Sequence, residues 1–285
     1  MPRFGKSERG LLARKGRSMS SRTAQTEYGV RLPATWLLLA LVLSATATRA
    51  NAVEIRVLSG GGPKAAVQAV IPEFEGATGH RVRPTFAHVS VIQQKLVAGE
   101  KADLILLPVP LIAAIEKSVG LRPEGRIVFA RVGIAVIVRK GTTPPDISTP
   151  DAVRKTLLDA RSIEIPPPNG PAGHHLARMI EQLGIADAVR PKLVIRAAID
   201  GGAQLVADGK VDLAMQLLSE VRSAENTSVV GLLPSALQSF VVYGTAIPAY
   251  NGKPEAALAF IKFLSEPNKR DFWKAAGFEL TSTAK

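Results

Sequence analysis

The sequence contains no cysteine. This absence excludes disulfide bonds, a thiol nucleophile and the lipidated cysteine of a lipoprotein. Two catalytic patterns are missing as well, because no G-K-[ST] follows the glycine-rich stretch and no G-x-S-x-G elbow occurs. The four histidines, His80, His88, His174 and His175, do not have the spacing of metal ligands. We therefore expect a protein that is not an enzyme and that holds neither a metal nor a cofactor.

The positive charge of the chain is concentrated at its beginning. The 285 residues carry a formal net charge of +12, and residues 1–52 hold nine Lys or Arg residues against Glu8 and Glu27, which is +7. The remainder, with 27 basic and 22 acidic residues, carries only +5. This scattered excess does not indicate a nucleic-acid partner. A content of 46% hydrophobic and 21% charged residues is typical of a folded globular chain.

Residues 1–52 have the three parts of a secretory signal peptide. A basic segment precedes the apolar run 36–43, and small residues follow up to Ala50-Asn51-Ala52, an A-x-A cleavage site. The apolar run is short for a membrane span, and no Arg-Arg pair indicates twin-arginine export. Translation starts at Met1 or Met19. We expect a periplasmic, monomeric protein that begins at Val53 after cleavage.

The stretch from Val53 to Ala66 predicts a strand, a glycine turn and a helix. Its sequence is VEIRVLSGGGPKAA, in which apolar residues alternate up to Leu58, and Pro63 suits the first position of a helix. Backbone N–H groups at such a helix start form an anion site. Gly60, Gly62 and Ala65 also match G-x-G-x-x-A, but the acidic residue of a dinucleotide site is missing after the second strand.

Short apolar runs alternate with helical stretches along the rest of the chain. This alternation predicts an α/β fold of two lobes, each a mostly parallel sheet flanked by helices. We interpret Val132–Val138 as a strand that crosses into the second lobe, and Ser239–Ile247 as one that returns. The predicted division is residues 53–131 and 240–285 for lobe 1 and residues 132–239 for lobe 2.

Four turns at the carboxyl ends of predicted strands are the candidate binding elements. They are Ser59–Gly62, His88–Ser90, Asn169–Gly173 and Gln216–Ser219. Ligands of open α/β sheets bind outside these strand ends, so two facing lobes would bring the four turns together around a cleft.

Several segments resemble the periplasmic substrate-binding proteins of molybdate-type ABC transporters, the type II periplasmic binding protein family. The segments are VLSGGG, FAHVS, QQKLVAGEKADLILLP, NGPAGHHLARMIEQLGIADAV, LVADGKVDLAMQLLSEV and AALAFIKFLSEPNKRDFWKAAGFEL. The resemblance covers nearly all of the chain after residue 52. It implies two α/β lobes that close over a small oxyanion without catalysis, and delivery of the ligand to membrane permease subunits of an ABC importer.

The family's binding positions correspond only in part to this sequence. Gly61 and Gly62 stand where the family has paired serines, and Leu217 stands where it has a binding tyrosine. The resemblance implies a ligand-binding set of Ser59, Gly61, Gly62, His88, Ser90, Asn169, Ala172, Gly173, Gln216, Leu217 and Ser219.

Three functions stay open on the sequence alone. The first is capture of a molybdate- or tungstate-like oxyanion, or of another anion or small organic solute, for an importer. The second is a sensor or scaffold that kept the fold without a transport role. The third is an exported hydrolase that uses His88 or His174. If these histidines line the cleft, anion binding strengthens below about pH 6.5, where they become charged.

Overall fold

The computed structural model describes residues 52–197, 199, 202–252 and 254–281. The predicted signal peptide therefore lies outside the described residues except for Ala52. Within the described part of the chain, no helix is both long enough and apolar enough to cross a membrane.

In the described part of the chain, ten strands form one hydrogen-bonded sheet, and eight of them follow one another in a single path. They are β1 (Glu54–Gly60), β2 (Arg81–Ala87), β3 (Leu104–Pro108), β4 (Leu121–Arg139), β5 (Ile163–Ile165), β6 (Leu193–Ile195), β7 (Leu213–Leu217), β8 (Thr227–Leu232), β9 (Phe240–Pro248) and β10 (Glu279–Leu280). The order is β2-β1-β3-β9-β4-β7-β5-β6, and β8 and β10 also pair with β4.

Helices occupy most of the connections between the described strands. They are α1 (Lys64–Thr78), α2 (Val89–Val97), α3 (Val109–Val119), α4 (Pro150–Asp159), α5 (Pro171–Gln182), α6 (Ala186–Val189), α7 (Ala203–Ala207), α8 (Leu218–Val221), α9 (Glu255–Leu264) and α10 (Arg270–Ala275). Short 3₁₀ turns at Arg190–Lys192 and Pro267–Lys269 precede β6 and α10.

Each end of the strand path is a parallel unit. In the first, β1 lies between β2 and β3 and is parallel to both. In the second, β5 lies between β6 and β7 and is parallel to both. All five residues of β3 are apolar and buried, as is typical of a strand in a parallel sheet that is covered on both faces. The predicted α/β class is confirmed. The expectation of mostly parallel sheets holds only for these two units, because the pairings of β4 and β9 in the middle of the path are antiparallel.

The long strand β4 connects the two parallel units. Its first part, Leu121–Gly133, pairs with β9, and its last part, Ile134–Arg139, pairs with β7 and β8. The predicted crossover strand Val132–Val138 was too short, because β4 begins at Leu121 and tolerates Pro123 and Gly125 at a register shift opposite β9. The prediction of a returning strand at Ser239–Ile247 corresponds to β9. The exact lobe boundaries stay a prediction.

Local sequence signals set the ends of two helices. Thr149 caps α4, since its Oγ1 accepts a hydrogen bond from the Ala152 N–H at 3.1 Å. Helix α1 ends at Gly79, which adopts a φ of 73° that an L side chain rarely adopts. A proline inside a helix usually bends or breaks it, but α1 runs unbroken past Pro72, which is exposed to solvent.

The aromatic residues of the last helices pack into the core of the first unit. Phe74 of α1 meets Phe260 and Phe263 with ring centroids 4.8 and 5.4 Å apart, and Trp273 meets Phe129 at 4.6 Å. Phe74, Phe260 and Trp273 are almost completely buried. Helices α9 and α10 therefore anchor the carboxyl-terminal segment against the sheet.

Candidate functional site

The first turn brings glycine backbone into contact with the side chains of other elements. Gly61 and Gly62 follow β1 and are buried. A Cβ added at Gly62 would lie 2.6 Å from the hydroxyl oxygen of Tyr243, and one added at Gly61 would lie 2.8 Å from a carboxylate oxygen of Glu220. Gly62 therefore needs to be glycine, because the buried Tyr243 ring leaves no room, whereas at Gly61 the flexible Glu220 side chain would have to shift. Ser59 is fully buried and its hydroxyl donates to the Gly60 carbonyl at 2.9 Å, so it serves the turn itself.

Tyr243 on β9 stands behind this first turn. Burial raises the pKa of its phenol well above the ordinary value, and the negative charge of Glu220 raises it further. A hydrogen bond from the Gly62 N–H to the phenol oxygen acts in the opposite direction. The phenol is therefore a neutral group that accepts from Gly62 and keeps its own proton as a donor.

The second turn is organised by His88, which caps α2. Its Nδ1 accepts from the Ser90 N–H at 3.4 Å and lies 2.8 Å from the Ser90 hydroxyl. Since Nδ1 acts as an acceptor, the ring proton of neutral His88 is on Nε2. Burial lowers the pKa of His88 below its ordinary value. A Cβ added at Gly170 would lie 3.3 Å from Nε2, so the ring faces the third turn.

The third turn is formed by residues 166–173 and starts α5. Pro171 occupies the first helical position, and Ala172 and Gly173 are buried. A Cβ at Gly173 would lie 2.1 Å from the carbonyl oxygen of Pro167, so this position requires glycine. Asn169 is exposed.

The fourth turn follows β7 and contributes polar side chains. Gln216 is 1% exposed, and its Nε2 donates to Glu164 Oε2 at 2.9 Å. The Gln216 Oε1 and the hydroxyl of Ser219 are buried, and neither has a hydrogen-bond partner among the residues described. Leu217 contributes an apolar wall where the family has a tyrosine.

The turns enclose two neighbouring cavities. The inner cavity, of about 30 Å³, has His88, Gly170, Ala172, Gln216, Leu217, Glu220 and Tyr243 among its lining residues. The outer cavity, of about 450 Å³, has Gly61, Lys64, Gln68, Ile199, Ser219 and Glu220 among its lining residues. Glu220 lines both, and its contact with Gly61 lies where the two cavities meet.

The structure brings most of the predicted binding residues to these cavities. His88, Ala172, Gly173, Gln216 and Leu217 line the inner cavity, and Gly61 and Ser219 line the outer one. Four predicted residues line neither cavity: Ser59, Gly62, Ser90 and Asn169. Gly62 nevertheless contacts Tyr243, and Ser90 contacts His88, and both of these partners line the inner cavity.

Sequence reasoning left two wall residues, Tyr243 and Glu220, out of the binding set. Glu220 directly follows Ser219, so its position in the fourth turn was a usable signal. Tyr243 lies in the middle of an apolar strand, and no local pattern marks it.

The charges around the inner cavity favour an anionic group on one side. Helices α2 and α5 both begin at its wall, so their unpaired N–H groups and positive dipole ends point to the same space. His174 is exposed, and the Nε2–H of His175 donates to the Leu237 carbonyl at 2.8 Å. Neither histidine is among the residues that line the inner cavity. Across the described ranges, no group of three or more His, Asp or Glu residues could hold a metal ion.

Comparisons with known proteins agree with this architecture. The family described as bacterial extracellular solute-binding protein matches residues 55–279. A protein named aconitate isomerase from Pseudomonas sp. is 30% identical over 243 residues, which cover 82% of this chain and 91% of that protein. The molybdate-binding protein ModA of Azotobacter vinelandii is 25% identical, with 86% of this chain and 97% of that protein covered.

A solved structure supports the fold independently. The periplasmic molybdate-binding protein of Azotobacter vinelandii superposes with a TM-score of 0.68 at 18% identity, covering 80% of this chain and all of that chain. At this identity the similarity shows the shared fold.

Proposed function

The chain belongs to the bacterial extracellular solute-binding protein family, and from that premise we propose that it captures a small anion in the cleft formed by the four turns. The anion would be delivered to the membrane permease subunits of an ABC importer, and the protein would act in the periplasm. The observation that supports this most is the inner cavity, at whose wall α2 and α5 both begin.

Backbone donors compensate for the side chains that this sequence lacks. Helix-start N–H groups remain at Val89, Ala172 and Gly173 even though the family's paired serines and its tyrosine are replaced, while the Ser90 N–H donates to His88 Nδ1. Hydrogen bonds to a charged acceptor contribute roughly 1.5–3 kcal/mol each, so a few such donors suffice for micromolar binding.

Two ligand classes fit a small anion cavity. Relatives named molybdate-binding support a tetrahedral oxyanion such as molybdate or tungstate. The relative named aconitate isomerase supports a small carboxylate. We propose that binding takes place at the same backbone donors in either case.

Isothermal titration of the purified protein, unfolded and refolded to remove bound solutes, tests this proposal. The ligands are molybdate, tungstate, sulfate, phosphate and a panel of small carboxylates. We expect one-to-one binding of at least one of them, with a Kd in the micromolar range or below. The absence of binding to every member would reject anion capture.

A second function, isomerisation of an unsaturated carboxylate, is supported by one observation beyond the relative's name. Glu220 places a carboxylate in the cleft beside Gly61 and within electrostatic range of Tyr243. A carboxylate and a phenol that both face a ligand can move a proton between two carbons of an unsaturated acid.

Incubation of the protein with cis- or trans-aconitate, followed by chromatography, tests this second function. Conversion that disappears in Glu220→Gln, while ligand binding persists, would support an enzyme. Binding of aconitate without conversion would assign the protein to transport alone.

A further inference from the structure

The orientation of the Gln216 amide is set by Glu164. The Nε2 of Gln216 lies 2.9 Å from Glu164 Oε2, and a carboxylate only accepts hydrogen bonds, so the amide nitrogen must face Glu164. Both residues are buried, with 0% and 1% exposure. The opposite atom of the amide, Oε1, is therefore held on the other side.

The Gln216 Oε1 is an acceptor that the protein does not use. Gln216 lines the inner cavity, and its Oε1 is buried without a partner among the residues described. Buried polar atoms are normally hydrogen-bonded, so an acceptor left over in a cavity wall indicates a ligand that donates.

The same cavity is also lined by hydrogen-bond donors. The first turn of α5 contributes the buried Ala172 and Gly173, and His88 carries its ring proton on Nε2 because Nδ1 accepts from Ser90. A fully ionised inorganic oxyanion could satisfy these donors. It has nothing to donate to Gln216 Oε1 or to the carboxylate of Glu220, which lines the same cavity.

We propose that the inner cavity selects a small carboxylate that carries a hydrogen-bond donor, a hydroxyl or an ammonium group, next to the carboxylate. This inference rests on the proposed function and specifies its ligand. The carboxylate meets the helix-start N–H groups, and the adjacent donor meets Gln216 Oε1 and Glu220.

The sizes of the two cavities agree with an organic ligand. The inner cavity of about 30 Å³ corresponds to roughly two water molecules, which is the scale of one carboxylate and its neighbouring group. The rest of the ligand would extend past Glu220 into the outer cavity, where the buried Ser219 hydroxyl has no partner in the described part of the chain and Lys64 lies at the wall.

Matched ligand pairs test the selection for a donor. The pairs are malate against succinate, citrate against tricarballylate, and alanine against propionate, with molybdate and tungstate as inorganic anions. Titration is done on the refolded protein at pH 7.5. We expect at least one donor-bearing member to bind at least about tenfold more tightly than its partner, since an unpaired buried acceptor penalises the other. The first two pairs identify a hydroxyl and the third an ammonium group.

Two variants test the residues that recognise the donor. In Glu164→Gln no carboxylate forces the Gln216 amide into one orientation. The affinity ratio between the donor-bearing ligand and its partner should therefore fall at least about threefold. The ligand without the donor should bind as well as before or better. In Glu220→Gln the charge of the second acceptor is removed and the preference should also fall. Glu100→Gln, an exposed carboxylate paired with Lys95, is the control and should leave the preference unchanged.

The outcomes separate this inference from the proposed function. Binding of anions with equal affinity within every pair, or tighter binding of molybdate than of any carboxylate, would overturn the inference and keep anion capture. A preference that survives unchanged in both variants would also overturn it. No binding of any anion would reject both.

Discussion

A methyl group added at Gly62 would lie 2.6 Å from the hydroxyl oxygen of Tyr243, although the two residues are 181 positions apart in the chain. The glycine is therefore explained by a contact with β9, in addition to its place in the turn after β1. The same contact carries the hydrogen bond from the Gly62 N–H to the phenol oxygen.

Gly62→Ala should destabilise the protein and weaken anion binding. The added carbon has no room beside Tyr243, and overpacking of this kind costs about 1–3 kcal/mol. Chemical denaturation measures the free energy of unfolding, and titration measures the affinity. The control is Gly76→Ala in α1, where an added Cβ has nothing within 4 Å and should stabilise the helix by up to about 1 kcal/mol. Equal unfolding free energies of the two variants would contradict the close contact between Gly62 and Tyr243.

Tyr243→Phe should cost about 1–2 kcal/mol of unfolding free energy. The change removes the acceptor of the Gly62 N–H at a buried position, where water does not replace it. Tyr250→Phe is a matched control, since the Tyr250 hydroxyl accepts from the Ala102 N–H at 2.9 Å but is 40% exposed. We expect less than about half the effect there, because Tyr250 is exposed and water can occupy the space that its hydroxyl leaves. A larger loss of unfolding free energy in Tyr250→Phe than in Tyr243→Phe would contradict this dependence on burial.

The pH dependence of anion affinity should include the protonation of His88, which lines the inner cavity together with Glu220. Burial lowers the pKa of His88 below its ordinary value of 6.5, so the ring is mostly neutral at pH 7 and gains its positive charge as the pH falls further. Affinity should be flat from pH 8 to 6.5 and rise below it, by at most about tenfold per pH unit for one proton. A rise in anion affinity between pH 8 and 7 would instead require a raised pKa of His88.

His88→Asn tests this assignment because asparagine also caps helices well. The variant should keep α2 intact and lose the increase at low pH. His174→Asn, at an exposed position outside the cavity lining, should retain the increase.

Glu73→Gln should destabilise the protein more than an exposed ion pair does. Glu73 pairs with Lys269, whose side chain is 8% exposed and whose ammonium lies 4.4 Å from the ring centre of Phe263. Removing the carboxylate leaves a buried ammonium without its counter-charge, so we expect a loss of about 1–3 kcal/mol. Asp159→Asn breaks the exposed pair with Lys155 and should cost about 0.5 kcal/mol or less. Similar losses of unfolding free energy in the two variants would show that contacts with the aromatic rings stabilise the Lys269 ammonium without Glu73.

Strand and helix order could be predicted from the sequence because each depends on local patterns. Alternating apolar residues predicted β1, the glycine turn with Pro63 predicted the start of α1, and the apolar segment Ser239–Ile247 predicted β9. The resemblance to a binding-protein family is confirmed by the match over residues 55–279. The set of ligand-binding residues remains a prediction, which the titrations above test.

The length of β4 could not be predicted in the same way. Pro123 and Gly125 weaken a strand locally, yet β9 pairs on both sides of them with a shift in register. Tertiary pairing thus overrode the local signal, and the strand begins at Leu121, eleven positions before the predicted Val132.

The alternation of strands and helices and the positions of the four turns follow from local sequence patterns, because hydrophobic period, glycine and proline act over a few residues. The side chains that face the cleft depend on tertiary contacts. Glu164 orients Gln216 across 52 positions, and Tyr243 closes against Gly62 across 181. Such contacts depend on the register and packing of distant strands, and a hydrogen-bond acceptor such as Gln216 Oε1 is left for a ligand only after the rest of the chain has folded around it.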